Sequence, residues 1–239
     1  MYKEKVLITS VDVDSNLELR LSNLFKFLQV IGSNHVATLK ASHADLMKHN
    51  LLWVVIRFEV QIYRTPKLDE EILVTTHPGE QKSFIFPRYY EIYDKQKNLI
   101  ISASSMWALI DKDTRRVSVK PPHFPAIKAE SIKEDIPLPL KVASNASTLV
   151  EKRKVNYTDI DLNGHLNNTS YIEYILNLHD NDFLKDKRIK RITINYDKEI
   201  KPTDIVELYK DGDNPECIKG VVDGSLHFIA ELEFEKRQK

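Results

Sequence analysis

One order of elements, a strand followed by an amphipathic helix and an antiparallel meander, occurs in both halves of this chain. In the first half, apolar side chains recur at helical spacing from Leu21 to Ile31, and the helix is predicted to end at Gly32. Apolar and polar residues then alternate over 55–62, which is the period of a half-buried strand. Three more strands are predicted in this half, at 72–77, 84–93 and 99–110.

The second half repeats this order after a stretch that is typical of a linker. Prolines between 121 and 139 bracket charged residues, and neither residue type supports a sheet or a core. A strand is then predicted at 150–155, a helix at 166–179, and strands at 188–197, 205–210, 218–222 and 226–234. We therefore predict an N-terminal unit at 1–122, a linker at 123–147 and a C-terminal unit at 148–239.

An offset of 147 residues places the start of the first helix on the start of the second. It matches 12–16 with 159–163, Leu24 with Tyr171 and Leu28 with Ile175. Together with the repeated order of elements, these matches indicate a duplicated α+β unit whose two sheets could join edge to edge. The offset also places Glu18 on His165, so we expect one active site, in the second unit.

Composition excludes several classes of protein. The chain has 35 Lys and Arg and 35 Asp and Glu, so zero net charge gives no general attraction to nucleic acid. The single Cys217 cannot form an internal disulfide, the apolar run at 51–56 is too short for a membrane span, and no signal peptide is apparent. A cytoplasmic protein without membrane insertion is expected.

Neither a metal nor a cofactor is expected. The eight histidines are scattered without the spacing of metal ligands. The chain has six glycines and no glycine-rich phosphate loop.

The segment 157–168 concentrates residue types that support catalysis, and it leads directly into the second helix. A helix N-terminus offers unpaired N–H groups and a partial positive charge, which suit the oxyanion formed when water attacks a carbonyl. The backbone N–H groups near Leu166 and Asn167 are candidate donors to that oxyanion. The same residues have a simpler interpretation, since Asp161, Asn163 and Asn167 could merely cap the helix.

A resemblance to a known family favours catalysis. The pattern Asp161-x-Asn163-x-His165-Leu166-Asn167-Asn168-x-x-Tyr171-Ile172 closely resembles the active-site segment of the acyl-acyl-carrier-protein thioesterases of plants and bacteria. Three further stretches resemble landmarks of that family and occur in the same order: Trp53-Val54-Val55 with Arg57, then Ser104-Ser105-Met106-Trp107 followed by 114–118, and Tyr196-Asp197-Lys198-Glu199.

The resemblance implies a fold and an activity. The fold would be a double hotdog, in which two helix-in-curled-sheet units are fused in one chain. The activity would be hydrolysis of fatty acyl thioesters on acyl carrier protein, with Asp161, Asn163, His165 and Glu199 as the catalytic set. Some relatives carry a cysteine directly after the glutamate, but Ile200 stands there in this chain, so a covalent Cys–His mechanism is disfavoured.

We expect Glu199 to act as general base on water, with Asn163 holding the water or the carbonyl. His165 would polarise the reacting centre or protonate the thiolate, and Asp161 would orient its neighbours. There are three alternatives. An acyl-CoA thioesterase on the same fold is the nearest one, a hotdog hydratase or dehydratase is disfavoured by the Asp-x-Asn-x-His pattern and the fused halves, and the third is a non-catalytic lipid-binding protein. In the last case Glu199 would be a solvated residue at a strand end.

Substrate contacts are also predicted. Candidate lining residues for the acyl chain are Phe25, Leu28, Ile31, Met106 and Trp107, although all five could equally belong to the core. Acyl carrier protein with its acyl-phosphopantetheine arm is the expected partner, and its acidic surface requires a basic patch. The densest basic cluster comprises Lys185, Lys187, Arg188, Lys190 and Arg191, and Arg115 with Arg116 forms a second one. A homodimer remains possible.

Overall fold

The computed structural model describes residues 1–119, 124–125, 127–129, 135–143, 146–212 and 215–237. The predicted linker at 123–147 therefore lies partly outside the described residues. The first unit consists of β1 (Tyr2–Leu7), α1 (Leu21–Thr38), α2 (His43–Met47), β2 (Leu51–Ile62), β3 (Glu71–Pro78), β4 (Phe86–Tyr93) and β5 (Leu99–Asp111). The second consists of β6 (Leu149–Lys154), a 3₁₀ turn (Tyr157–Asp159), α3 (Asn168–Leu176), α4 (Asn181–Asp186), β7 (Lys187–Tyr196), β8 (Ile205–Asp211), β9 (Glu216–Val222) and β10 (Ser225–Lys236).

All ten strands form one antiparallel sheet in the order β1-β3-β4-β5-β2-β7-β10-β9-β8-β6. The two units meet where β2 pairs with β7, and Phe58 lies opposite Ile194 in that register. The sheets therefore join edge to edge, as the repeat predicts. Pairing closes the inner edge of each unit and leaves only β1 and β6 at the outer edges.

The two main helices differ in length from the prediction. α1 continues to Thr38 rather than ending at Gly32, because Gly32 here allows a close approach between elements. A Cβ atom at that position would lie 2.8 Å from the hydroxyl oxygen of Tyr90 on β4. α3 is shorter than predicted and begins at Asn168. Asn167 is its N-cap, and its side chain accepts a hydrogen bond from the Thr169 N–H.

The offset of 147 residues describes a real structural repeat. The short bridge between Val13 and Leu19 has its counterpart between Ile160 and Leu166. Helices α1 and α3 contact each other, and Lys26 Nζ lies 3.1 Å from Glu173 Oε1, at positions 147 apart. Contact between equivalent positions is what an approximate two-fold axis between the units requires.

One hydrophobic core spans both units beneath the helices. Leu28 of α1 and Ile175 of α3 are fully buried in it, together with Ile192 of β7. Such side chains each contribute about 1.5–3 kcal/mol on burial, so the units share much of their stabilisation. None of the helices in the described residues has the length and apolar character that spanning a membrane would require.

Candidate active site

A cavity of about 980 Å³ lies between the two units. The first unit contributes residues of α1, β2 and β4, and the second contributes 160–168 and 196–199. All four predicted catalytic residues line it. Asp161, Asn163 and His165 come from one loop, and Glu199 follows β7. The structure thus brings the whole predicted set to one cavity.

Asp161 builds the loop that carries His165. Its Oδ1 accepts hydrogen bonds from the backbone N–H of Asn163 at 2.8 Å and of His165 at 3.2 Å. Its Oδ2 accepts from the Asn163 side-chain amide at 3.3 Å. Gly164 has a φ of 79°, in the region that favours glycine, so the chain turns back immediately before His165. These contacts order the loop around the Asp161 carboxylate.

His165 and Glu199 face each other across the cavity wall. His165 Nε2 lies 3.5 Å from Glu199 Oε2, a separation that a small movement or a bridging water can close. The His165 and Glu199 side chains are 24% and 39% exposed, so both remain accessible from the cavity. The other ring nitrogen of His165, Nδ1, is buried, and no described residue hydrogen-bonds to it.

Two contacts of Glu199 and one of its neighbour Ile200 hold the carboxylate in place. Arg115, from the turn after β5, forms an ion pair with Glu199 Oε1. His227 Nδ1 lies 3.0 Å from the Glu199 carbonyl oxygen, and burial lowers the pKa of His227, which favours a neutral ring that donates Nδ1–H. The Leu166 N–H donates to the carbonyl of Ile200 at 2.8 Å.

One part of the predicted oxyanion site is wrong. The Leu166 N–H is used by Ile200, and the Asn167 N–H donates to the Asp159 carbonyl at 2.8 Å. Neither group is available to a substrate, because contacts with distant parts of the chain satisfy both. Asn168 lines the cavity, and its N–H is the first of α3, where a helix offers donors without an intrahelical acceptor.

Two tyrosines shape the wall beside the reacting groups. Tyr171 of α3 and Tyr196 of β7 both line the cavity, and their rings meet edge to face with centroids 5.1 Å apart. Burial raises the pKa of both hydroxyls, so both tyrosines stay neutral at physiological pH. Both tyrosines belong to stretches that resemble the family's landmarks, but neither was predicted to line the site.

The predicted lining residues separate into two groups. Trp107 lines the cavity, whereas Met106 is not among the lining residues. Phe25, Leu28 and Ile31 are buried in the hydrophobic core, because the apolar face of α1 packs on the sheet. The face of α1 that lines the cavity carries smaller or more polar residues: Gln29, Gly32, Ser33 and Val36.

Most residues of the predicted basic cluster already pair with carboxylates or pack on a ring within the protein. Arg188 pairs with Glu235, and Arg191 lies between three carboxylates, those of Glu59, Glu231 and Glu233. Lys185 pairs with Asp182 at 3.5 Å, Lys187 lies over the Phe183 ring, and Lys190 is exposed. The two arginine charges are therefore balanced within the sheet, and none of the five residues lines the cavity.

Other predicted features lie away from the site. Cys217 is buried in a small cluster with Val142, Ala146 and Ile229, outside the cavity lining. In the part of the chain that the structure describes, no group of His, Cys, Asp and Glu side chains has a geometry suited to a metal.

Known proteins share both sequence and fold with this chain. An oleoyl-acyl carrier protein thioesterase from Arabidopsis thaliana is 25% identical over 94% of this chain. The chain covers 66% of that relative and 61% of one from Coriandrum sativum, less than two thirds of their length.

Solved structures match over nearly the full length. A crystal structure of an acyl-ACP thioesterase from Bacteroides thetaiotaomicron is 25% identical, with a TM-score of 0.85 and coverage of 98% of this chain and 97% of that one. A 12:0-ACP thioesterase from Umbellularia californica is 20% identical, with a TM-score of 0.82 and coverage of 99% and 97%, which supports the double hotdog fold.

Family models match both units. Residues 1–127 match the acyl-ACP thioesterase N-terminal domain, and residues 142–231 match the acyl-ACP thioesterase C-terminal domain. Together they cover most of the chain and include every residue of the predicted catalytic set. The chain therefore belongs to the acyl-ACP thioesterase family.

Proposed function

We propose that this protein hydrolyses fatty acyl thioesters carried on acyl carrier protein, releasing a free fatty acid and the holo carrier. The observation that carries the proposal is the pair His165 and Glu199, 3.5 Å apart on the wall of a cavity of about 980 Å³. The cavity has the size of a small-molecule binding site, and a carboxylate on its wall supports a general base acting on an acyl thioester bound there.

The chemical step needs one water and one base. Glu199 Oε2 takes a proton from the water, whose oxygen forms a bond to the thioester carbonyl carbon. When the tetrahedral intermediate collapses, the carbon–sulfur bond breaks, and the sulfur leaves as a thiolate. The proton held by Glu199 passes through His165 to that thiolate, so the products are the fatty acid and the thiol, and both side chains return to their starting states.

The other site residues support this step. Asn163 is exposed at the cavity, where its amide can hold the water or the carbonyl. Asp161 fixes the backbone N–H groups of Asn163 and His165, as its hydrogen bonds indicate. The Asn168 N–H at the start of α3 is the proposed oxyanion donor, and a donor of this kind contributes on the order of 10²–10³-fold in kcat.

The carrier docks through exposed lysines in this proposal. Lys185 and Lys190 are exposed, whereas the neighbouring Arg188 and Arg191 are balanced by carboxylates. Replacing both lysines by glutamate should raise the KM for an acyl carrier protein substrate and leave the KM for the matching acyl-CoA unchanged. Lys3→Glu on β1 is the matched control, and an equal KM for the carrier in both variants contradicts this docking surface.

The function is tested by thiol release. The full chain is incubated with a series of medium- and long-chain acyl carrier proteins and with the same acyl groups on CoA. We expect hydrolysis of the carrier-bound series with higher kcat/KM, and loss of that hydrolysis in Glu199→Gln. Faster hydrolysis of the CoA series would indicate an acyl-CoA thioesterase, and acyl binding without release of thiol would indicate a lipid-binding protein.

A further inference from the structure

A tightly built turn follows β5 and carries Arg115. The Asp111 Oδ1 accepts hydrogen bonds from the Thr114 N–H and hydroxyl, both at 2.8 Å, and from the Asp113 N–H at 3.2 Å. These hydrogen bonds lower the pKa of Asp111, so its carboxylate stays charged and keeps the turn closed at physiological pH. Asn50, just before β2, also donates to Asp111 at 3.1 Å.

Arg115 occupies a strained position in that turn. Its φ is 58°, in the left-handed region that residues other than glycine rarely adopt. Its N–H donates to the Asp111 carbonyl at 2.9 Å, which helps to keep the strained conformation in place. Strained residues held by their surroundings are concentrated at functional sites.

The guanidinium of Arg115 contacts Glu199, 84 residues away and in the other unit. It binds Oε1 of the carboxylate, whereas His165 faces Oε2. The two oxygens of one carboxylate therefore have different partners. A guanidinium stays protonated in proteins, so Arg115 cannot take the proton from water and leaves that role to Oε2.

The other half of the molecule has an equivalent arginine. Arg237 follows β10 as Arg115 follows β5, and it pairs with Asp14 and Glu18 in the loop that corresponds to 161–165. Arg237 Nε also donates to the Leu184 carbonyl at 3.2 Å. An arginine from each unit thus forms an ion pair with a carboxylate of the other unit. Of the two, only Arg115 pairs with a carboxylate beside a histidine.

We propose that Arg115 is a positioning residue for Glu199, an inference that rests on the proposed function. By binding Oε1, it holds the carboxylate so that Oε2 faces His165 and the attacking water. The active site is then composite, because the first unit supplies the arginine and the second supplies the reacting groups. The same residue has a competing role as part of a docking patch for the acidic carrier, and the two roles predict different kinetics.

The test compares Arg115→Gln and Arg115→Lys with the control Lys112→Gln, an exposed residue of the same turn. Loss of positioning by a small displacement costs on the order of 10²-fold, so kcat of Arg115→Gln should fall by roughly that factor with KM unchanged. Arg115→Lys should recover part of the loss, and added guanidinium ion should partly restore Arg115→Gln. Lys112→Gln should hydrolyse acyl carrier protein at the wild-type rate.

Each remaining result overturns a specific part of the account. A raised KM with unchanged kcat assigns Arg115 to carrier docking and overturns positioning. An unchanged kcat and KM overturns any role in the reaction. If Arg115→Gln does not fold, as judged by its thermal unfolding, an Arg115→Lys protein that folds and has the full wild-type kcat overturns positioning, and a reduced kcat with unchanged KM supports it. A wild-type protein inactive on every acyl thioester overturns the proposed function itself, whatever the variants do.

Discussion

The loops 14–18 and 161–165 share the same backbone hydrogen bonds, but only the second lies beside the proposed active site. Asp14 Oδ1 accepts from the Asn16 N–H at 2.8 Å and from the Glu18 N–H at 3.2 Å, and Asp161 makes the equivalent contacts at the same distances. Both loops thus keep the Asp and the Asn. These two residues therefore define a loop architecture that exists with or without an adjacent reaction site.

The side chains that differ between the two loops include the proposed reacting groups. Glu18 stands where His165 stands in the second unit. The Leu19 N–H donates to Pro66 as the Leu166 N–H donates to Ile200, so Thr65 corresponds to Glu199. Without the histidine and the base, the first loop is closed by Arg237. In the proposed mechanism, the two loops differ in activity because of two residues, His165 and Glu199, within a shared backbone framework.

The largest expected effect comes from the base. Glu199→Gln should lower kcat by roughly 10²–10⁴-fold, because a positioned general base contributes about that much. Glu18→Gln in the first loop should leave kcat unchanged. Both are measured as thiol release from acyl carrier protein, and equal losses in the two variants would show that the units do not differ as described.

Arg237, which pairs with the first loop, should matter for stability instead. Arg237→Gln removes the partner of Asp14 and Glu18, whose side chains are 30% and 18% exposed. A hydrogen bond to a charged group is worth about 1.5–3 kcal/mol, so the free energy of unfolding should fall by up to that amount. Chemical denaturation measures the change. A large loss of kcat in the folded variant would instead place function in the first loop.

A smaller effect distinguishes the two turns. Gly164 and Leu17 occupy equivalent positions with φ values of 79° and 59°. Gly164→Ala should lower the free energy of unfolding by about 1 kcal/mol, because alanine is strained there. Leu17→Gly removes similar strain from the folded state, but it also increases the conformational entropy of the unfolded chain by a comparable amount in free energy. Its net effect on the free energy of unfolding should therefore be small. A more destabilised Leu17→Gly protein would argue against equivalent turns.

The smallest effect tests the approximate two-fold axis. Lys26 and Glu173 are about half exposed, at 48% and 42%, and exposed ion pairs contribute about 0.2–1 kcal/mol. A double-mutant cycle with Lys26→Ala and Glu173→Ala should give a coupling free energy in that range at low salt, and less at high salt. A coupling of zero at low salt would remove this contact as support for the axis.

Much of the architecture could be predicted because periodicity and repetition are local properties of a sequence. The duplicated unit and the edge-to-edge junction followed from the repeated order of elements, whereas the expectation that Glu199 lies near His165 came from the resemblance to a known family. The helix face was harder to assign. An apolar stripe such as Phe25, Leu28 and Ile31 packs in the core, and the cavity meets the adjacent strip of α1, which carries Gln29, Gly32, Ser33 and Val36.

Long-range hydrogen bonds could not be predicted from spacing. The N–H groups of Leu166 and Asn167 are occupied by carbonyls that approach only in the folded chain. The partner of Arg115 lies 84 residues away, so its sequence context as one of two adjacent arginines favoured a surface role. Local patterns specify which groups can react, whereas tertiary contacts decide which of them remain free.

The most direct test of the account converts the second loop into the first. His165→Glu gives the second loop the Asp-x-Asn-x-Glu pattern of the first, whose backbone already accommodates a glutamate at this position. Thiol release from acyl carrier protein is measured for this variant and the wild type, with thermal unfolding as the check on folding. The account predicts a folded protein with hydrolysis reduced at least 10²-fold, in line with the loss of an acid–base group. Hydrolysis at the wild-type rate would contradict it.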